Sequence, residues 1–146
     1  MGTQHLLIIV LSVVIVFFAV AAGVTQFYSN ARDTNRDAVI ADLVNHAAKA
    51  QRYFYTPGQL GGGSRNFNGY LLRSAESSNP NGNYRVTTDT LTIMGAAPVS
   101  PGGSIDISAT TIYIVGSGKE KGNDNANPVK AYVTVTSNTI SASILN

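Results

Sequence analysis

The chain has no cysteine, and that absence removes disulfides, thiolate nucleophiles and zinc-thiolate sites together. Charge is scarce too: Asp, Glu, Lys and Arg make up 12% of 146 residues, and the formal net charge is +2. A pI near 9.0 on so few charges reflects a small imbalance rather than a basic face able to neutralise many phosphates, so no specific nucleic-acid partner is expected. Histidine occurs as His5 and His46 alone, with no companion at metal-ligand spacing. No Ser/His/Asp set, paired catalytic carboxylates or nucleotide fingerprint emerges, and the aspartates are scattered. The residues therefore predict neither an enzyme nor a cofactor.

Hydrophobic residues are plentiful at 44%, but they are concentrated at the start. Leu6 to Phe27 carries no charged side chain. At ~1.5 Å rise per residue this run forms a helix of about 33 Å, enough to cross a bilayer core. A secretory signal fits poorly, because a basic leading region is missing, the run is too long, and it passes directly into a second helical pattern. Ser29 to Tyr55 contains neither Gly nor Pro, and Ile40, Leu43, Val44, Ala47 and Ala48 recur at helical spacing as a face for packing on a sheet. Around Arg32 to Asp37 the helix reads as polar on all sides. Thr56-Pro57-Gly58 supplies a stop. The expectation is one helix over about residues 3–55, far longer than a domain of this size needs for its own core.

Beyond residue 56 the chain turns to uncharged Gly, Ser, Thr and Asn. Residues 57–83 read as a glycine-rich connection pinned by Phe67, Tyr70, Leu71 and Leu72. Gly61, Gly62 and Gly63 lack the Lys-Ser/Thr ending of a phosphate cradle. After residue 83 the period becomes two: "YRVTTD", "TLTIMGAA", "SIDIS", "TTIYIVG", "AYVTVT" and "TISASIL" read as an antiparallel meander, with Ser137-Asn138 as a tight hairpin. The helix face should cover one side of this sheet, leaving Thr, Ser and Asn to form a polar exterior on the other. Asn123, Asp124, Asn125 and Asn127 offer oxygen ligands, but the loop lacks the glycine and distal glutamate of a calcium loop and reads as an exposed turn. The fold class is thus α+β, with the C-terminal half of a long N-terminal helix packed on a small antiparallel sheet. Its expected parts are an apolar helix at 1–28, an amphipathic continuation at 29–56 and a loop-and-sheet domain at 57–146.

At "HLLIIVLSVVIVFFAVAAG" the sequence resembles the bacterial type IV pilins and pseudopilins, whose mature subunits begin with an apolar run on one long helix and end in a small sheet domain. Leu6, Leu7 and Ile8 match the family's apolar positions after its acidic residue. The resemblance covers the first 55 residues in pattern and the rest in architecture. It implies a subunit that waits in the inner membrane, is extracted by pilus assembly machinery and becomes a homopolymer at the cell surface. The implied assembly residues are Met1, His5, Leu6, Leu7, Ile8, Val10, Val13, Val14, Phe17, Phe18, Ala22 and Gly23.

Two positions depart from the family. His5 stands where the acidic residue is expected, either to accept a hydrogen bond from a neighbouring terminal amine or simply as a polar residue at the membrane face. Ala22 replaces a frequent proline, leaving Gly23 as the weak point. The matching register favours Met1 as the mature first residue over an initiator. A pseudopilin or minor pilin, an inert anchor and a monomeric anchored binding module remain as alternatives.

Overall fold

The computed structural model describes residues 2–95 and 97–146, so the expectation for Met1 lies outside the described residues. Helix α1 runs unbroken from Gly2 to Tyr55. After it come a single 3-10 turn (Gly58–Leu60), the short helix α2 (Ser74–Ser77), strand β1 (Gly82–Thr87) and the short helix α3 (Thr90–Met94). Strands β2 (Thr111–Lys121), β3 (Pro128–Thr136) and β4 (Ile140–Ile144) complete a four-stranded antiparallel sheet in the order β1-β2-β3-β4. This is the α+β arrangement that the residue pattern predicts.

Val39, Leu43, His46, Ala47, Ala50 and Phe54 form the buried face of α1. They pack on Tyr84 and Val86 of β1, Ile112 and Ile114 of β2, and Ala131, Val133 and Val135 of β3. Pairing of Val86 with Ile114 and of Ile114 with Val133 puts these side chains on one side of the sheet. The expected helix face is corrected by about a quarter turn. Leu43 and Ala47 lie in the core and Ile40 packs at its edge, whereas Val44 and Ala48 point away from the sheet. The true stripe follows 39-43-46-47-50-54, and its polar member, His46, disguised it in sequence.

The helix comes this close because β2 carries Gly116 beneath it. A Cβ there would lie 2.9 Å from Val39 Cγ1 and 3.1 Å from the Tyr84 ring. At the other end of the helix, Gly63 and Arg65 donate their N–H groups to the carbonyls of Tyr53 (2.8 Å) and Phe54 (2.7 Å), closing the last turn. The Phe54 and Phe67 rings stack 4.9 Å apart beneath that loop. Phe67, Tyr70 and Leu72 are the anchors, while Leu71 is exposed.

Three further expectations are corrected. Thr90–Met94 is helix rather than strand, because the Asp89 carboxylate accepts from Leu91 N (3.0 Å) and Thr92 N (3.3 Å) and caps a turn. "SIDIS" forms no strand: Ile105 is buried, but Ser104 makes only an isolated bridge to Leu71. The outer face of the sheet is not wholly polar either. Ile93 and Val99 fold back on Val115, with Tyr113 and Tyr132 at the margin. Lys130 is buried beneath this flap and donates to the carbonyls of Thr92 (3.2 Å), Gly95 and Ala97 (3.5 Å).

His46 gives the domain a pH dependence. Burial holds its pKa below the ordinary 6.5, and Lys49 lowers it further, against opposing pulls from Glu76 and Asp42. Its Nδ1 is buried without a hydrogen-bond partner among the described residues, and its ring lies 5.1 Å from that of Tyr84. Between the depressed native pKa and 6.5 the unfolded chain binds more protons, so stability falls as pH drops below about 6.5. Asp42 and Glu76, whose pKa values are also lowered, contribute a separate loss at more acid pH. Denaturant unfolding followed by circular dichroism should show the upper slope in the parent chain and lose it in His46→Gln. Gly116→Val should cost about 1–3 kcal/mol of stability by overpacking, read as a lower midpoint in the same titration.

Candidate functional site

The N-terminal half of α1 has no partner within its own chain. From Leu6 through Tyr28 every residue is exposed, with Phe17 at 69% and Phe27 at 70%. Leu6, Leu7, Ile8, Val10, Val13, Val14, Phe17 and Phe18 therefore come together as the surface of a rod rather than as a pocket. The rod is apolar all round, as suits a helix enclosed by hydrocarbon or by other helices. It is long and apolar enough to cross a membrane, and none of that stretch is buried inside the molecule.

Its few polar side chains are satisfied locally. Ser12 Oγ donates to the Ile8 carbonyl (2.8 Å) and Thr25 Oγ1 to the Ala21 carbonyl (3.0 Å), so neither brings an unpaired hydroxyl to the surface. Branched residues at Val10, Val13, Val14, Ile15 and Val16 are stiff at χ1. Ala19, Ala21, Ala22 and Gly23 present little bulk, and a Cβ on Gly23 would meet nothing within 4 Å. Another helix can approach closely there. The helix passes through Ala22 and Gly23 without a break. His5 lies on the exposed opening turns.

The outer domain reaches down to meet the rod. Asn35 Nδ2 donates to the Asn81 carbonyl (2.9 Å), and its Oδ1 accepts from Lys119 N (3.0 Å) and Glu120 N (3.2 Å). Arg36 Nη2 donates to Asn123 Oδ1 (3.1 Å), and Nη1 pairs with Asp33 (3.1 Å). The stretch from Arg32 to Asp37, expected to be polar on all sides, is thus partly covered by the β2–β3 hairpin.

Sequence reasoning also missed the latch around Asp42. Its Oδ2 accepts from Asn79 Nδ2 (2.9 Å), Asn81 Nδ2 (2.8 Å) and Tyr84 Oη (2.6 Å). Burial pushes this carboxyl up, but the three hydrogen bonds together outweigh it and hold the pKa below the ordinary value. Burial and Asp42 in turn raise the Tyr84 pKa, so the phenol remains the donor. The latch ties the middle of α1 to the start of β1. On the opposite hairpin, Asp124 folds onto its own turn, accepting from Ala126 N (3.0 Å) and Asn127 N (2.9 Å). No cluster of three His, Cys, Asp or Glu residues placed to hold a metal ion occurs among the described residues.

No protein-family model, curated protein or solved structure matches the chain, so a functional reading rests on the helix and the domain it carries. Placing a cation midway along the rod tests its apolar character directly. Val14→Arg should disfavour bilayer insertion by about 3 kcal/mol, whereas Val14→Leu should not. Flotation of the full chain with phospholipid vesicles measures the difference.

Proposed function

We propose that the chain is the structural, major-pilin-type subunit of an extracellular type IV pilus-like filament. One observation carries this reading: a single unbroken helix is both the central packing element of a folded domain and, over its first half, a bare apolar rod. In the precursor the rod lies in the membrane. In the filament it joins the rods of neighbouring copies to form a continuous apolar core, with the sheet domains outside.

The transfer is an exchange of apolar surroundings, so water exclusion supplies little of the preference. Close packing at Ala19, Ala21, Ala22 and Gly23, together with contacts between outer domains, must supply it. Copies at successive heights meet through unlike surfaces, and such a contact does not close, which yields a fibre rather than a ring. His5 accompanies the rod into this core, where its neutral form accepts a hydrogen bond and its protonated form repels an amine. Neither cofactor nor catalysis enters this role.

Electron microscopy of material sheared from the cell surface, with intact-mass measurement of the subunit, tests the reading. Thin filaments dominated by this chain, with the apolar segment retained, are expected. Scarcity in such filaments would instead indicate a pseudopilin or minor pilin. Confinement to the membrane fraction together with one saturable ligand site would indicate an anchored binding module. Removing residues 1–28 should leave a soluble monomer, and a truncated chain that still built the same fibre would overturn the role given to the rod.

A further inference from the structure

A cleft of about 680 Å³ lies where the rod meets the outer domain, lined by Thr25, Tyr28 and Arg32 of α1 and by Lys119, Glu120, Lys121 and Asn125 of the β2–β3 hairpin. We propose that this cleft holds the phosphate of an anionic phospholipid headgroup while the chain resides in the membrane. The inference rests on the membrane-resident stage of the function proposed above and gives that stage a specific lipid partner.

Position is the first argument. With the apolar run ending at Phe27, Thr25 and Tyr28 sit at the boundary between hydrocarbon and water, the depth at which headgroup phosphates lie. The hairpin descends to this level, since Lys119, Glu120, Lys121 and Asn125 line one cleft with Thr25 and Tyr28, while Asn35, about two turns higher, holds the backbone of Lys119 and Glu120 against the helix. A cleft between them therefore opens beside the membrane surface.

Charge is the second. Arg32, Lys119 and Lys121 outnumber Glu120 in the lining. Among the described residues neither lysine enters an ion pair, while Arg32 keeps its Nη2 on Ser29 Oγ (3.3 Å) and its Nε near Asp33 (3.4 Å). Asp124, the other nearby carboxylate, is occupied by its own turn. Two unpaired ammonium groups, a fixed guanidinium and the Tyr28 hydroxyl suit a phosphodiester with one negative charge. Glu120 suits a headgroup whose hydroxyls donate, as glycerol does.

The test uses the full chain in nanodiscs of phosphatidylcholine alone or with about one third phosphatidylglycerol. Amide hydrogen exchange over residues 119–125 should slow about tenfold in the anionic discs, and added salt should diminish the effect. A triple variant, Arg32→Gln with Lys119→Gln and Lys121→Gln, should lose this protection while exchange over Ile112–Val115 stays as in the parent, which shows that the sheet is intact. Equal protection in both lipids, or in the triple variant, would overturn the proposal. So would inorganic phosphate reproducing the protection in phosphatidylcholine discs, because the site would then serve free anions. Flotation with both kinds of vesicle reports separately on membrane residence: a chain that floats with each but shows no lipid-dependent exchange refutes the headgroup site alone.

Discussion

The structure depends on one constraint: a helix can pass from water into an apolar medium without interruption, because its backbone hydrogen bonds are internal. α1 uses this property twice, as the buried spine of the sheet domain and as a rod with no partner in its own chain. Every other element is arranged around the spine. Gly116 lets β2 approach it, Asp42 and Asn35 tie loops to its polar flank, and the Gly63–Arg65 loop closes its end. The sheet adds its own second layer, with Lys130 held by the carbonyls of Thr92, Gly95 and Ala97. Burial lowers the pKa of that lysine, and it has only neutral acceptors to satisfy it.

The division of α1 also separates two kinds of energetics. In the outer domain, apolar area removed from water supports the fold, and the contact between helix and sheet is dense enough that one methyl group at Gly116 has no room. Along the rod, exchanging one apolar neighbour for another yields little from hydration. In the assembly proposed above, shape would then decide which neighbour is preferred, and the small side chains near Gly23 would acquire their importance there.

Much of the fold was legible in the sequence because its signals are local. The absence of Gly and Pro from Ser29 to Tyr55 and the Pro57-Gly58 stop mark the helix, and alternating Val, Ile and Thr mark β1 through β4. The failures share a cause: a local pattern was overridden by a partner elsewhere. Thr-Leu-Thr-Ile alternates like a strand, but the Asp89 cap, itself a local signal in the sequence, outweighs the alternation. Val44 and Ala48 fit a helical stripe as well as Val39 and Ala50 do, and only the position of the sheet decides between them. The Asp42 latch joins residues 37 to 42 positions apart, which no local spacing reveals. The rod was readable as apolar surface from residue types alone. The cleft beside it was not, because it depends on how far the β2–β3 hairpin descends.

The continuity of α1 has a mechanical consequence. A helix without a hinge behaves as a shaft, and its 54 residues fix the orientation of the sheet to that of the apolar end. Each residue carries about 100° of rotation and ~1.5 Å of advance. The direction in which the outer domain faces, relative to the rod, is therefore set by the number of residues between the rod and Asn35, in the way that thread length sets the final angle of a screw head.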